Sequence, residues 1–292
     1  MRVAVTGANG FTGRYLLPEL ERRGHEVTSL DADVTDADVL GRQIVDQAPD
    51  TIIHLAARAF IDARDIDAFY AVNQIGSFHL LDAVERHAPN AHLLLASTAQ
   101  VYGAQAEGLI GEDQPPVPAN HYALSKTAME MGARWWADRL PITILRPFNY
   151  TGVGQESRYL VPKIVDHFRR RAPTIELGNV DVARDFGDVR SVVAAYAGLV
   201  ERRPGTTGSP EILNICTGRV DTIRQLIARL ETMTGHHIEI RINPQFVRAN
   251  DVPVLGGRND RLCAALPGWV PRTIDDTLAW MLDAPNDRPD DR

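Results

Sequence analysis

The sequence predicts a doubly wound α/β fold, in which helices cover both faces of a mostly parallel β-sheet. Two observations carry this prediction. Short runs rich in Val, Ile, Leu and Thr alternate with longer segments of helical periodicity, and a glycine-rich turn stands between the first run and the first helix. Parallel strands need crossover connections of a dozen or more residues, and the helical segments supply them.

Six strands and five helices are predicted in chain order. The strands cover residues 2–6, 25–30, 51–55, 92–96, 141–146 and 211–215. The first helix runs from the glycine turn to about Arg23, and the others cover residues 36–46, 73–87, 122–139 and 189–201. Gly24 supplies the left-handed residue that helix ends favour.

The composition excludes several classes of protein. The 292 residues carry 31 Lys+Arg against 38 Asp+Glu, a net charge of −7, which gives no support for nucleic-acid binding. The two cysteines form no CxxC pair, and the adjacent His236 and His237 diverge, so no disulfide framework or metal site is expected. The N-terminus lacks the apolar length of a signal peptide, and no run is long enough to span a membrane. A soluble, cytoplasmic protein is expected.

The turn after the first strand has the spacing GxxGxxG, formed by Gly7, Gly10 and Gly13 with Phe11 between the last two. Glycines let the backbone turn tightly and approach a pyrophosphate, which then lies on the positive end of the following helix. The alternative is a tight strand–helix turn with no ligand. Its position after the first strand favours a dinucleotide site.

Acidic residues at the end of the second strand bear on the choice of cofactor. Asp31 is placed to accept hydrogen bonds from the adenosine ribose hydroxyls, and its carboxylate would repel a 2′-phosphate. NAD(H) is therefore favoured, and NADP(H) stays possible. Asp33 is a second candidate, beside the adenine ring; the alternative is a helix cap or a solvated loop carboxylate.

Tyr122 and Lys126 start a predicted helix at i, i+4 spacing, which places both side chains on one face. A tyrosine, whose ordinary pKa is about 10, becomes an effective proton donor or acceptor once a nearby cation stabilises its phenolate. Lys126 and Lys163 are the only lysines, and Lys163 has no predicted role. Thr98, after the fourth strand, could hold a substrate oxygen near Tyr122. The alternatives are a surface lysine on an amphipathic helix and an ordinary turn threonine.

With these residues in place, the chain resembles the extended short-chain dehydrogenase/reductase superfamily, through about residue 280. His54-Leu55-Ala56-Ala57 is similar to the third-strand motif of that superfamily, and Val72-Asn73 to the asparagine that follows it. The resemblance implies catalytic roles for Thr98, Tyr122 and Lys126. It also implies cofactor contacts at Val34, Leu55, Ala56, Ala57, Asn73, Tyr122, Lys126 and Pro147.

The second half resembles GDP-4-keto-6-deoxy-D-mannose reductases. Residues 146–155 are similar to RPFNHxGPGQ, residues 176–189 to VGN…RDFxDV, residues 214–218 to NVCSG and residues 243–253 to NPxxxRPxEVP. Tyr150 replaces the His of these motifs, Val153 and Ala249 each replace a Pro, and Asp251 replaces a Glu. The resemblance implies substrate contacts at Thr98, Asn149, Arg184, Arg248 and Asp251.

These patterns divide the chain. We expect a dinucleotide-binding Rossmann domain in residues 1–149 and 185–217, and a smaller lobe for the sugar nucleotide in residues 150–184 and 218–282. Residues 283–292, rich in Asp, Arg and Pro, are predicted to be a disordered tail. The resemblance also suggests a homodimer built on the helices that contain residues 73–87 and 122–139.

The expected activity is reduction of the C4 ketone of a nucleotide-linked 4-keto-6-deoxyhexose. The alternatives are a nucleotide-sugar 4-epimerase with tightly held NAD and a non-catalytic dinucleotide-binding regulator, which would have no need for the Tyr122/Lys126 pair. Related dehydratases use a glutamate two residues after the threonine to remove the C5 proton. Gln100 occupies that position here and cannot act as a base, which argues against 4,6-dehydration.

Overall fold

A computed structural model describes residues 1–59, 65–103, 108–202, 204, 208–247 and 253–285. Its centre is a six-stranded sheet in which every neighbouring pair is parallel. The strands are β1 Arg2–Thr6, β2 Glu26–Leu30, β3 Thr51–His54, β4 His92–Ala96, β5 Ile142–Pro147 and β6 Glu211–Ile215. All six predicted strands are confirmed, and no boundary moves by more than one residue.

The strand order across the sheet is β6-β5-β4-β3-β1-β2. The chain leaves β1 toward one edge to form β2 and then crosses to the other side of β1 to form β3. The order therefore reverses between β1 and β3, and the carboxyl ends of these two strands flank a crevice. Ligands of doubly wound sheets bind at such a switch point.

The described part of the chain contains nine α-helices of six residues or more. They are α1 Phe11–Arg22, α2 Ala37–Gln47, α3 Ser77–His87, α4 His121–Ala133, α5 Leu160–Arg169, α6 Val189–Val200, α7 Ile223–Thr234, α8 Asp260–Ala265 and α9 Ile274–Asp283. Of these, α1, α6 and α8 pack on one face of the sheet and α2, α3 and α4 on the other. The left-handed residue predicted after the first helix is confirmed, since Gly24 has a φ of +80°.

Two predicted helices differ from the structure at their ends. The segment that leads into α3 is already helical from Ile66–Ala68, and Phe69–Gly76 is π-helical, with α3 following directly. The helix predicted for residues 122–139 ends as an α-helix at Ala133, and Arg134–Trp136 forms a 3₁₀ turn.

Each face of the sheet has its own apolar core. Alternate residues of a strand point to opposite faces, so Val3 and Val5 of β1 pack with α1 and α6, whereas Ala4 packs on the other face. That second face is covered by α2, α3 and α4, whose buried residues include Leu40, Leu80 and Met129. The sheet is thus enclosed by helices, as the doubly wound prediction requires.

A further apolar core joins α5, α7 and α9 to the parallel strand pair Thr174–Leu177 and Glu239–Ile242. Asn149–Thr151 pairs with Phe186–Asp188. A four-stranded sheet joins Asp221–Thr222, Ala183–Arg184, Val254–Gly257 and Leu109–Ile110, in that order. The domain boundaries given above stay a prediction, and residues 286–292 of the predicted tail lie outside the described residues. Among the described helices, none is long and apolar enough to cross a membrane.

Candidate active site

The glycine turn joins β1 to α1, and its backbone packs closely against neighbouring backbone. Gly7 has a φ of +68°, and a Cβ on it would lie 2.7 Å from the backbone nitrogen of Ala56, after β3. A Cβ on Gly13 would lie 2.1 Å from the carbonyl oxygen of Ala8. Both positions therefore require glycine. Gly10 caps α1 with its backbone and no side-chain hydrogen bond, so the amino end of α1 faces the crevice without a side chain over it.

This turn forms one wall of a cleft of about 330 Å³ at the switch point. The ends of β2 and β3 supply the other walls. The lining residues are Gly7, Ala8, Asn9, Gly10, Leu30, Asp31, Ala32, Asp33, Val34, Leu55, Ala56, Ala57 and Val72. The structure thus brings together most of the residues predicted to contact a cofactor, although they come from three separate segments of the chain.

The two aspartates at the end of β2 differ in their surroundings. Asp31 is exposed at the cleft. Asp33 also lines the cleft, but its Oδ1 accepts hydrogen bonds from the Thr35 backbone (2.9 Å) and hydroxyl (2.8 Å), which hold its pKa below the usual value. The guanidinium of Arg58 lowers the Asp33 pKa further. Arg58 was missed from the sequence, although it directly follows the third-strand motif.

Asn73 is fully buried in the π-helical segment. Its side-chain amide accepts a hydrogen bond from the Arg58 nitrogen (2.8 Å) and donates to the Arg58 carbonyl (3.0 Å) and to Ser125 Oγ (3.0 Å). Ser125 in turn donates to the Tyr122 carbonyl (2.8 Å). Asn73 therefore links the cleft wall after β3 to the helix that carries Tyr122.

Tyr122, Lys126 and Thr98 meet where β4 ends against α4. The hydroxyl of Thr98 adjoins the half-buried phenol of Tyr122 and lowers the pKa of that phenol. Lys126 is 1% exposed, and its Nζ donates to the Ala96 carbonyl at 2.7 Å. Asn120 caps α4 by accepting from the Ala123 nitrogen at 2.8 Å, which fixes the first turn of the helix. The three residues predicted to carry the chemistry are thus adjacent.

Burial shifts both titratable groups of this cluster. It raises the pKa of Tyr122, while the adjoining Thr98 hydroxyl acts in the opposite direction. Tyr122 is therefore protonated at neutral pH. Burial lowers the pKa of Lys126 to about 8. An ammonium in this position needs hydrogen-bond acceptors and negative charge around it.

Tyr150 lies beside Tyr122 and was not predicted as a site residue. It raises the Tyr122 pKa after the larger effect of burial. Its hydroxyl is 2.7 Å from Thr12 Oγ1, and its ring stacks on Phe11 with centroids 6.2 Å apart. Tyr150 therefore ties the first turn of α1 to the strand Asn149–Thr151. The sequence did mark Tyr150, because it stands where the motif RPFNHxGPGQ has His.

The predicted substrate residues are partly brought together. Asn149 is exposed, and its strand pairs with Phe186–Asp188, which begins two residues after Arg184. Arg184 is half-buried, and one of its guanidinium nitrogens donates to the Ala183 carbonyl at 2.8 Å. Pro147 ends β5, two residues before Asn149. Arg248 and Asp251 lie outside the described residues.

Two further features bear on which chemistries are available. Gln100 is exposed, and its side-chain oxygen accepts a hydrogen bond from Asn120 at 3.1 Å. A side-chain amide is not basic, so Gln100 cannot remove a proton from the substrate. Among the described residues, no group of three or more His, Cys, Asp or Glu side chains could hold a metal ion.

Comparison with known proteins places this geometry in a family. Residues 3–216 match the NAD dependent epimerase/dehydratase family. The chain belongs to this family. The match spans β1 to the residue after β6, so it includes the glycine turn, the cleft and the Thr98–Tyr122–Lys126 cluster. The resemblance to extended short-chain dehydrogenases is thereby confirmed.

Curated relatives in this family act on nucleotide sugars. GDP-6-deoxy-D-talose 4-dehydrogenase from Aggregatibacter actinomycetemcomitans is 36% identical over 272 residues, 91% of each chain. GDP-6-deoxy-D-mannose reductase from Pseudomonas aeruginosa is 31% identical over 297 residues, 96% of each chain. UDP-glucose 4-epimerase from Corynebacterium glutamicum is 26% identical and covers 94% of this chain and 92% of its own.

Solved structures of the family share the fold over nearly the whole chain. A putative epimerase from Burkholderia cenocepacia superposes with a TM-score of 0.90 at 42% identity, over 97% of each chain. RMD from Pseudomonas aeruginosa, complexed with NADPH, has a TM-score of 0.85 at 31% identity over 96% of each chain. UDP-glucose 4-epimerase from Thermus thermophilus, complexed with NAD, has a TM-score of 0.82 at 26% identity, over 97% of this chain and 98% of its own.

Proposed function

We propose that this family member is an NAD(P)H-dependent 4-ketosugar reductase. Its substrate would be GDP-4-keto-6-deoxy-D-mannose, and its product GDP-D-rhamnose or the 4-epimer of that sugar. The observation that carries the proposal is the Thr98–Tyr122–Lys126 cluster beside the glycine-walled cleft. The sugar class is supported by two relatives that are more than 30% identical and are both named for GDP-linked 6-deoxyhexoses.

The cleft fits a nicotinamide dinucleotide. Gly7 and Gly13 leave no room for a Cβ, so the backbone of the turn stands where a pyrophosphate needs it, at the amino end of α1. Asp31 would bind the adenosine ribose, and Ala56 and Ala57 would line the path toward the nicotinamide. When bound, the reduced cofactor supplies the hydride that C4 of the sugar accepts.

The residues of the cluster would then manage the proton. Tyr122 is protonated at neutral pH because burial raises its pKa, so it is ready to donate to the C4 oxygen as negative charge develops there. Thr98 would hydrogen-bond the same oxygen and hold it at the phenol. The ammonium of Lys126 donates to the Ala96 carbonyl at the end of β4. It would stabilise the phenolate that remains after proton transfer.

Substrate binding is assigned to residues on and next to the strand pair formed by Asn149–Thr151 and Phe186–Asp188. Asn149 is exposed on the strand that follows β5, and Arg184 precedes the strand paired with it. A guanidinium is well suited to a diphosphate because it donates two parallel hydrogen bonds. Arg248 and Asp251 are proposed on the resemblance alone to complete this site.

The assay that tests the proposal follows nicotinamide absorbance during incubation with GDP-4-keto-6-deoxy-D-mannose and either NADH or NADPH. We expect oxidation of at least one cofactor that depends on the ketosugar. Replacing the ketosugar by GDP-mannose, which has no ketone to reduce, is the matched control and should give no oxidation. If neither cofactor is consumed, the reductase assignment is wrong.

A 4-epimerase is the second candidate, favoured by relatives named UDP-glucose 4-epimerase that match 93–96% of this chain. Thr98, Tyr122 and Lys126 would serve equally well in a reaction that oxidises C4 and reduces it again. Such an enzyme must retain its cofactor through the cycle. Purified protein that carries non-exchanging NAD, visible in its absorbance spectrum, would favour the epimerase over the reductase.

The exposed carboxylate of Asp31 should set the cofactor preference. In Asp31→Asn the charge is lost, and with it about 1.5–3 kcal/mol of charged hydrogen bonding to the ribose hydroxyls. We expect the dissociation constant of NADH to rise about tenfold or more, and that of NADPH to fall because a 2′-phosphate is no longer repelled. Fluorescence titration of both cofactors measures this. Asp38→Asn, on the exposed first turn of α2, is the control; an unchanged preference in Asp31→Asn would remove this residue from the cofactor site.

A further inference from the structure

The carboxyl end of β4 is joined to α4 by three consecutive side-chain contacts. The Ala96 carbonyl accepts a hydrogen bond from Lys126, the Ser97 hydroxyl donates to Glu130 Oε1, and the Thr98 hydroxyl adjoins the Tyr122 phenol and lowers its pKa. Tyr122, Lys126 and Glu130 are spaced four residues apart, so they lie along one face of α4. The proposed catalytic pair thus has a third member on the same helix face.

Glu130 is also paired with Arg146 at the end of β5. The guanidinium donates to Glu130 Oε2 at 2.5 Å and to Oε1 at 3.0 Å, and the two side chains are 3% and 5% exposed. Another nitrogen of Arg146 donates to the hydroxyl of Tyr102 at 2.9 Å. One carboxylate therefore fastens the ends of two adjacent strands to the helix that carries Tyr122.

We propose that Glu130 is a positioning residue for the reaction: it holds Thr98 against Tyr122 through Ser97, and its negative charge keeps the buried Lys126 in the ammonium form. This inference rests on the proposed function for its catalytic consequence. Its electrostatic part concerns two residues of this chain and stands independently of the substrate.

The charges around Lys126 support this role. Burial opposes the ammonium, and Glu130 acts against that effect and raises the Lys126 pKa. His54 of β3 also faces Lys126, but burial lowers its pKa to about 3, so it is neutral. Arg146, which pairs with Glu130, also donates to the Tyr102 hydroxyl and to the Glu112 carbonyl. Glu130 is thus the acidic side chain that offsets burial at Lys126.

The low lysine content of the chain makes a direct test possible. The protein contains two lysines, so selective ¹³C-lysine labelling gives two sets of Cε signals, and Lys163→Arg assigns them. The ¹³Cε shift of Lys126, followed against pH without added nucleotide, reports its midpoint. We expect Glu130→Gln to lower that midpoint by about one pH unit, because an opposite charge four residues away is removed.

The matched control is Glu211→Gln at the start of β6. Glu211 also pairs with an arginine, since Arg202 lies 2.5 Å from its Oε2, but it stands at the opposite end of the strands from Lys126. A Lys126 midpoint that moves in Glu130→Gln and not in Glu211→Gln supports the proposal. A midpoint that is unchanged in Glu130→Gln overturns it.

Glu130→Gln leaves a buried guanidinium without its partner, which is strongly destabilising. Glu130→Gln/Arg146→Met removes both charges and is the variant to use if the single one does not fold. The Lys126 midpoint should fall in it as well, and a wild-type midpoint in the double variant overturns the proposal. In an active variant, the alkaline limb of the kcat profile should move to lower pH by the same amount. A loss of Tm alone cannot produce that displacement, and failure of the ketosugar assay leaves the Lys126 titration intact.

Discussion

Replacing Tyr122 by Phe is expected to lower kcat by about 10²–10⁴-fold, the range for loss of a general acid. The variant should bind NADH almost as well as the wild type. Phe keeps the ring, and the ring keeps its place beside Phe69, whose centroid lies 6.2 Å away. The proton donor is lost, and Thr98, with a hydroxyl that ionises far less readily, cannot replace it.

Steady-state turnover and a fluorescence titration of NADH together test this prediction. Tyr70→Phe is the matched control, because it deletes a hydroxyl that bonds His121 Nδ1 at 2.8 Å, one residue before Tyr122 in the chain. We expect that control to keep kcat within about twofold, because the hydroxyl it removes lies outside the proposed catalytic cluster. If Tyr122→Phe retains a substantial fraction of wild-type turnover, Tyr122 is not the acid.

The sequence was sufficient for the sheet and the cleft because both depend on local chemistry. Buried parallel strands must be short apolar runs, and a left-handed residue packed against β3 must be glycine, as at Gly7. The switch point then follows from the connection rules, which place Asp31 and Ala56 at the same crevice.

Contacts between distant segments could not be predicted in the same way. The Tyr150–Thr12 hydrogen bond joins residues 138 positions apart, and no spacing rule relates them. Glu130 was visible four residues after Lys126, but its importance depends on Arg146, which belongs to another strand. Only the packed structure brings the two charges together and removes water from both.

The lysines show the same division. Lys126 was predicted from its spacing to Tyr122, whereas its contact with the Ala96 carbonyl required the fold. The predicted lowering of the Tyr122 pKa by Lys126 stays a prediction. Lys163, for which the sequence offered no role, donates to the Glu176 carbonyl at 2.7 Å and lies 4.8 Å from the centre of the Phe246 ring. It therefore fastens α5 to the segment that precedes Arg248.

Gly13→Ala is expected to lower the free energy of unfolding by about 3 kcal/mol, the upper part of the range for overpacking. The new methyl group would stand 2.1 Å from the Ala8 carbonyl oxygen, which is backbone and cannot rotate away. Relief requires the glycine turn to move off α1. Because Ala8 lines the cleft, the affinity for NADH should fall as well. We expect a loss of tenfold or more, which corresponds to about 1.4 kcal/mol of binding free energy or more.

Gly41→Ala provides the opposite result from the same chemical change. Its methyl group would lie 3.7 Å from the His87 ring, which is ordinary contact, and alanine is favoured over glycine within a helix by about 1 kcal/mol. Urea unfolding should thus show Gly41→Ala to be as stable as the wild type or more stable, with unchanged NADH affinity. The same helix preference acts at Gly13 and offsets part of the clash there, so the difference in stability between the two variants reports the clash. Equal stability of the two variants would mean that the turn is not held against α1, and the pyrophosphate site would then lack the rigid backbone on which it depends.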